Sequence, residues 1–412
     1  MRILFVTPRV PYPLDTGAKI RTFNLIKQAQ SYGNRVTLCT FIFSESDSKS
    51  ADVLRSMGIE VECVFSKDKI DISTIFKAFF HGIPLSVAKY HSSKMRSLVD
   101  SIVSKNQIDI VHFDHVHLSQ YMDFSKKLIY AIDEHNIESV ILKRCFEKEK
   151  NLIKRLVYSA EYKKMEKYEI SQCIKARKTF VVSENDKDTL TNICKGKADI
   201  ALIPNGVDRD YFSSEEQGVY QQEDSIVFVG SMDWLPNGDA VKYFIKDILP
   251  FFNDFKKDIK FYVVGKNPDK SLTAMVKSDK RIILTGTVPD VRPYIRRSKV
   301  FVVPLRIGGG TRLKILEALS LRKAVVSTSI GSEGLCLEDK KHLLIADCPG
   351  DFAKCIIRLI EDSRLRDTLG KNGRDFVKEF YDWKVIGEKL NKAYESLGSV
   401  KKGVKKCLIR TS

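Results

Sequence analysis

Short apolar runs rich in Val, Ile and Phe recur along the chain, separated by segments whose apolar residues follow a helical period. In the first half the runs read RILFVT, VTLCTFI, IDIVHF, KLIYAID and TFVVS; in the second, SIVFVG, IKFYVVG, RIILTG, KVFVVPL and KAVVST. A strand covered on both faces shows a continuous apolar run instead of alternation, and such strands alternate with helices in parallel α/β sheets. Two series of this kind predict an α/β chain of two doubly wound domains. Polar, turn-prone residues from Pro204 to Ser225 interrupt the pattern and mark the join. No run approaches the roughly 18 apolar residues of a membrane-spanning helix. The opening MRILFVTPRVPYPL breaks at Pro8 and reads as a buried strand, not as a secretory signal.

Ligand-binding loops of such domains gather at the carboxyl ends of the strands, where helix N-termini and free backbone amides collect. That rule selects TPRVPYPLDTGAKIR with Gly17 before a helix starting near Ala18, then DHVH, DEHNIES, VVSEND, FVGSMDWLPN, VVGKNP and LTGTVPD. It also selects PLRIGGGTRLKILEALS, Pro304 to Ser320. Gly308, Gly309 and Gly310 allow a ligand close to the backbone. A helix start attracts anions, Arg312 and Lys314 add two cations, and Glu317 one turn on suits sugar hydroxyls. Phosphate beside sugar indicates a nucleotide. The stretch lacks the Gly-Lys-Ser/Thr of a P-loop, and no G-x-G-x-x-G follows a first strand, which disfavours a dinucleotide cofactor.

Composition narrows the partners. The 412 residues are 43% hydrophobic and 29% charged, with a net charge of +17, which suits a globular chain meeting anionic partners. Nine cysteines without a C-x-x-C pair read as reduced thiols of the cytosol. Between Lys143 and Lys178 stand twelve Lys or Arg against five Glu, interleaved with Phe146, Ile153, Val157, Ala160 and Tyr168. The tail adds Lys402, Lys405, Lys406 and Arg410 without an acid. A solvated helix face and a membrane-surface patch both fit these features. In ISTIFKAFFHGIPL, Ile75, Phe76, Phe79 and Phe80 fit either a core helix or an apolar docking face. No aromatic-basic module supports nucleic-acid binding.

The segment PLRIGGGTRLKILEALSLRKAVVSTSIGSEGL resembles the donor-binding segment of retaining glycosyltransferases of family 4, which have the GT-B fold. IPNGVD, FVGSMDWLPN, VVGKNP, GTVPDVRPYI and DEHNIES match the family in order and spacing. The resemblance implies two Rossmann-like domains facing across a cleft: an acceptor-side domain over 1–205 and a donor domain over 206–380. A helix over 381–398 would cross back to the first domain, followed by a basic tail, 399–412. His135 then looks like the active-site histidine beside the transferred sugar, and Gly17 like the first-loop glycine near donor phosphate and acceptor. Glu317 looks like the second glutamate of the family's pair, which binds ribose, and Val288 falls where the backbone meets the base. The matching segments also assign Gly230, Asn237, Gly265 and Thr311 to the donor, and Arg21, His115, Asn136 and Glu138 to the acceptor side. Two positions depart from the family. Gly309 stands where the first glutamate of the pair belongs, and Ser231 to Asn237 carry neither the Arg nor the Lys that commonly holds the diphosphate. Arg312 and Lys314 are expected to take that role.

The expected reaction moves a sugar from a nucleotide diphosphate sugar to a hydroxyl with retention, the leaving phosphate helping to deprotonate the acceptor. No Asp-x-Asp motif follows a strand suitably, and His115 and His117, on one side of a strand, have no third ligand at a matching spacing. No metal and no cofactor are therefore expected. The acceptor is expected to be lipid-linked or polysaccharide, met by a cytoplasmic bacterial enzyme on the inner, anionic face of the membrane. A nucleotide-sugar epimerase on the same fold and an idle basic scaffold on membrane are the alternatives.

Overall fold

The computed structural model describes residues 1–66, 78, 82–123, 128–213, 222–307 and 311–409, with backbone only for 213 and 399–409. Contacts divide the chain into two compact units, Met1–Pro204 with Ile386–Ser412, and Asn205–Val385.

Among the described residues of the first unit, seven strands form one sheet: β1 (Arg2–Thr7), β2 (Arg35–Ile42), β3 (Glu60–Phe65), β4 (Ile110–Asp114), β5 (Ile129–Glu134), β6 (Lys178–Val181) and β7 (Ile200–Leu202). All pairings are parallel, in the order β3-β2-β1-β4-β5-β6-β7. The order reverses between β1 and β4, and at such a point the flanking loops part and leave room for a ligand. β4 is buried along its whole length, which explains its unbroken apolar signature. The β4–β5 register pairs Asp114 with Asp133, so two carboxylates stand side by side at the carboxyl edge. The helix Gly17–Ser31 follows β1 one residue before its expected start, with Thr16 as N-cap.

The second unit repeats the plan with six described strands: β8 (Glu223–Val229), β9 (Lys260–Val264), β10 (Ile282–Gly286), β11 (Ser298–Val303), β12 (Ala324–Ser327) and β13 (Leu344–Ile345). Their order is β10-β9-β8-β11-β12-β13, again parallel, with the reversal between β8 and β11. Phe228, Phe244, Phe261, Phe301 and Phe352 lie fully buried in its core.

Three expectations change. β3, β7 and β13 escape the apolar-run reading, and all three are edge strands, where one neighbour is missing and burial is partial. β4 ends at Asp114, so His115 and His117 are not on a strand: His115 has φ 76° and Val116–Tyr121 form a 3-10 helix. The last helix runs from Trp383 to Ile409, well past residue 398, and its residues from Ile386 belong to the first unit. Ile75, Phe76, Phe79 and Phe80 lie outside the described residues.

Candidate active site

His135 follows β5 and is buried, as are Asp114 and Asp133. Its Nε2 donates to Asp114 Oδ1 at 2.8 Å and lies 3.2 Å from Asp133 Oδ2. Burial alone would depress the imidazole pKa, but the two carboxylates overcome that and raise it to about 9. The ring is therefore an imidazolium at neutral pH, held by two anions. Burial also favours the neutral form of each carboxyl, yet His135 and His115 hold Asp114 well below the ordinary carboxylate range. Arg21 and His135 do the same for Asp133.

The anions are themselves anchored. Arg21, from the helix after β1, gives Nε to Asp133 Oδ2 at 2.8 Å and Nη2 to Oδ1 at 2.5 Å, and Nη1 reaches the Pro204 carbonyl at 3.2 Å. The Thr22 hydroxyl lies 3.0 Å from both oxygens of Asp114. Arg21 thus sits beneath the site and acts on it through Asp133, because its guanidinium is buried and engaged. The His115 ring packs 3.9 Å from that of His135, and its Nδ1 is buried without a hydrogen-bond partner, 3.6 Å from Asp114 Oδ2. Glu138 opens the helix Glu138–Lys148, half-buried, and burial raises its pKa. Its N–H donates to Glu169 Oε1 at 2.7 Å, and the Ser139 hydroxyl donates to the same carboxylate. Asn136 is half-buried in the turn between, and Gly17 is exposed.

The other histidines nearby differ. His112 is stacked on Phe5, hydrogen-bonded to the Tyr394 hydroxyl at 2.8 Å through Nδ1, and pushed down to about 4 by burial. His117 is pushed down to about 3 by burial. Both are neutral packing residues. Asp114, His115 and His135 bring potential ligand atoms within 4.8 Å of one another. The proton that His135 shares with two carboxylates competes with any cation there. Asp114 is the site residue that the sequence reading passes over; an acid at the last position of a fully buried strand is the signal that marks it.

In the second unit the sequence-selected residues gather at the carboxyl ends of β8 and β9. Lys314 Nζ donates to Asn237 Oδ1 at 2.8 Å and lies 4.3 Å above the Phe228 ring. Asn237 Nδ2 donates to the Ser231 carbonyl at 2.9 Å. A Cβ on Gly230 would stand 2.7 Å from Asn237 Nδ2 and 2.8 Å from Lys314 Nζ, and one on Gly265 would fall 1.8 Å from the Gly230 carbonyl oxygen. Only glycine fits at Gly265, which has φ 152° and meets backbone, whereas a side chain at Gly230 would push the Asn237 and Lys314 side chains aside. Arg312 is the N-cap of the helix Leu313–Ser320, which carries Lys314 and Glu317. Burial, reinforced by Arg312, pushes Lys314 down to about 7; burial pushes Glu317 up to about 7. Thr311 accepts a hydrogen bond from Asn205 Nδ2 at 2.6 Å. Val288 packs half-buried on the core. Gly308, Gly309 and Gly310 lie outside the described residues.

The helix start that carries Arg312 and Lys314 thus stands beside Gly230 at the end of β8, an arrangement that suits an anion. Residues 223–362 match the family described as Glycosyl transferases group 1. An uncharacterized 44.6 kDa protein in the cps region of Klebsiella pneumoniae is 23% identical over 400 residues, 93% of this chain and 97% of its own. An uncharacterized glycosyltransferase of Methanocaldococcus jannaschii is 31% identical over 225 residues, 53% of this chain and 60% of its own. Among solved structures, sucrose-phosphate synthase of Thermosynechococcus elongatus matches with a TM-score of 0.70 at 15% identity, covering 97% of this chain and 100% of its own. HepE of Anabaena, solved in complex with UDP, matches with a TM-score of 0.69 at 14% identity, covering 96% and 100%. The fold is GT-B, with two Rossmann-like parallel-sheet domains.

Proposed function

We propose that the protein is a retaining glycosyltransferase that takes its sugar from a nucleotide diphosphate sugar and gives it to a hydroxyl of a lipid-linked or polysaccharide acceptor in envelope biosynthesis. The observation that carries this reading is the Lys314 ammonium, hydrogen-bonded to Asn237 at the end of β8 and packed over Gly230. A fixed cation there, with Arg312 at the adjoining helix cap, suits the charge that grows on a departing diphosphate. Groups preorganised for developing charge are the largest catalytic term in many enzymes. Glu317 takes the ribose, Val288 adjoins the base, and Gly265, Thr311 and the 308–310 glycines line the phosphates. In the first unit the His135 imidazolium, fixed by Asp114 and Asp133, serves the sugar, with Gly17, His115, Asn136 and Glu138 toward the acceptor.

No divalent ion is required in this reading, because Lys314, Arg312 and backbone amides neutralise the diphosphate. The cps-region relative and the UDP complex of HepE support polysaccharide synthesis and a nucleotide-linked donor. No described helix is long and apolar enough to cross a membrane, and attachment to the inner face of the cytoplasmic membrane is peripheral in this proposal. The test is calorimetric titration with UDP and GDP, then incubation with pooled nucleotide sugars and envelope lipid extract containing EDTA, the product anomer being read by NMR. Transfer with a retained anomer is expected. Epimerised donor without acceptor, or no affinity for either nucleotide, overturns the reading.

A further inference from the structure

Residues Asn151 to Val157 are all exposed, although Leu152 already begins a 24-residue helix, Leu152–Lys175. The helix reaches the core only later, through Met165, Glu169 and Cys173. Its first two turns carry Leu152, Ile153, Leu156 and Val157, exposed to 75%, 75%, 72% and 51%. At about 100° per residue the four side chains span an arc of about 140°, flanked by Lys154 on one side and Arg155 on the other. Asn151 caps the helix by accepting from the N–H groups of Ile153 and Lys154, both at 3.1 Å. The stripe is therefore built before any partner arrives. Lys148, Lys150 and Lys154 are exposed and, among the described residues, enter no ion pair, and Arg155 lies 5.1 Å over the Phe146 ring.

We propose that this stripe docks the protein on an anionic lipid bilayer, its four apolar side chains entering the headgroup boundary while the flanking cations meet lipid phosphates. The proposal deepens the peripheral attachment in the function above and rests on it only for the acceptor's location. An interfacial helix of this kind combines a basic polar face with an apolar one that sinks about 5–10 Å. Charge selects the occupant. Twelve Lys or Arg against five Glu between Lys143 and Lys178 complement an anionic surface, whereas a second copy would bring like charges together. The same helix holds the active-site segment, since Glu169 accepts from the Glu138 N–H. Docking would therefore hold the same helix that contacts the segment following His135.

Sedimentation with phosphatidylcholine vesicles, with and without phosphatidylglycerol, tests this. The wild type should partition at least about tenfold more onto the anionic vesicles, less so in high salt. Leu152→Ser/Ile153→Ser/Leu156→Ser/Val157→Ser and Lys148→Glu/Lys150→Glu/Lys154→Glu should each lose about tenfold or more of that binding. Far-ultraviolet circular dichroism and UDP affinity should be unchanged, because these side chains are exposed. Wild-type partitioning indifferent to phosphatidylglycerol, or apolar-stripe variants that bind as well as wild type, overturns the proposal. So does a dimer in ultracentrifugation that the serine variant dissolves, which makes the face a self-contact. Docking that fails while UDP binding and sugar transfer persist removes this inference alone, and docking without any nucleotide affinity removes the enzymatic reading alone.

Discussion

Nε2 of His135 and Oδ1 of Asp114 are 2.8 Å apart in a buried pair, and Asp133 stands at 3.2 Å from the same nitrogen. Because the folded pKa of His135 is raised to about 9 from an unfolded value near 6.5, the pair stabilises the fold fully below about pH 6.5. That contribution fades as the pH rises through about 9 and is on the order of 3 kcal/mol. Burial depresses Lys314 and Lys323 to about 7, and those groups work in the opposite direction over neighbouring pH values. The comparison that isolates His135 is therefore wild type against His135→Gln in urea unfolding from pH 6 to 10. The stability gap should narrow as pH rises; a constant gap contradicts an imidazolium at this site.

His135→Ala should also lower turnover strongly while leaving nucleoside diphosphate affinity nearly intact, since its partners Asp114, Asp133 and His115 all belong to the first unit. Steady-state rates and UDP calorimetry on one preparation check this. Lost nucleotide affinity with retained turnover refutes the role.

Arg21 and Asp133 form a bidentate pair in the interior. Removing one partner strands the other charge, at a cost of about 3–5 kcal/mol. Asp133→Asn should lower the melting temperature markedly and also lower the His135 pKa, read from its NMR titration. A stable Asp133→Asn with an unshifted histidine contradicts the arrangement.

Burial, reinforced by Arg312, holds Lys314 near 7, and a diphosphate bound beside it would favour the charged form. UDP binding at pH 8 should therefore take up protons, seen as binding enthalpies that differ between buffers of unlike ionisation heat. Lys314→Met should abolish the uptake, and Lys314→Ala should cost about 2–4 kcal/mol of transition-state stabilisation. Equal enthalpies in all buffers, with normal turnover for the alanine variant, remove Lys314 from the donor site.

Glu317→Gln should weaken UDP and UDP-sugar equally, because the ribose is common to both. Gly230→Ala should weaken both as well, by displacing the Lys314 ammonium that the added methyl would meet at 2.8 Å. Calorimetry on both ligands checks each, and unchanged affinities contradict the ribose and diphosphate assignments.

The sequence by itself determined the two parallel sheets, because strands buried on both faces must be apolar throughout, as in VTLCTFI and KVFVVPL. It missed β3, which carries Glu60 and Glu62 on a partly exposed edge, and β7 and β13, which are only three and two residues long. It also singled out the loops at the carboxyl ends of the strands as candidates for chemistry, because glycine beside cations at a helix start suits an anion. Tertiary structure alone decided how those residues combine. Asp114 becomes a site residue only because parallel register sets it beside Asp133, and Arg21 is drawn beneath both because a buried carboxylate pair needs a counter-charge. Lys314 reaches Gly230 and Asn237 only because β8 and β11 are neighbours, a pairing between strands some seventy residues apart. The stripe from Leu152 to Val157 lies in the basic segment that the sequence left open between a solvated helix face and a membrane-surface patch. Whether such a face meets a core or solvent depends on what the rest of the fold brings against it.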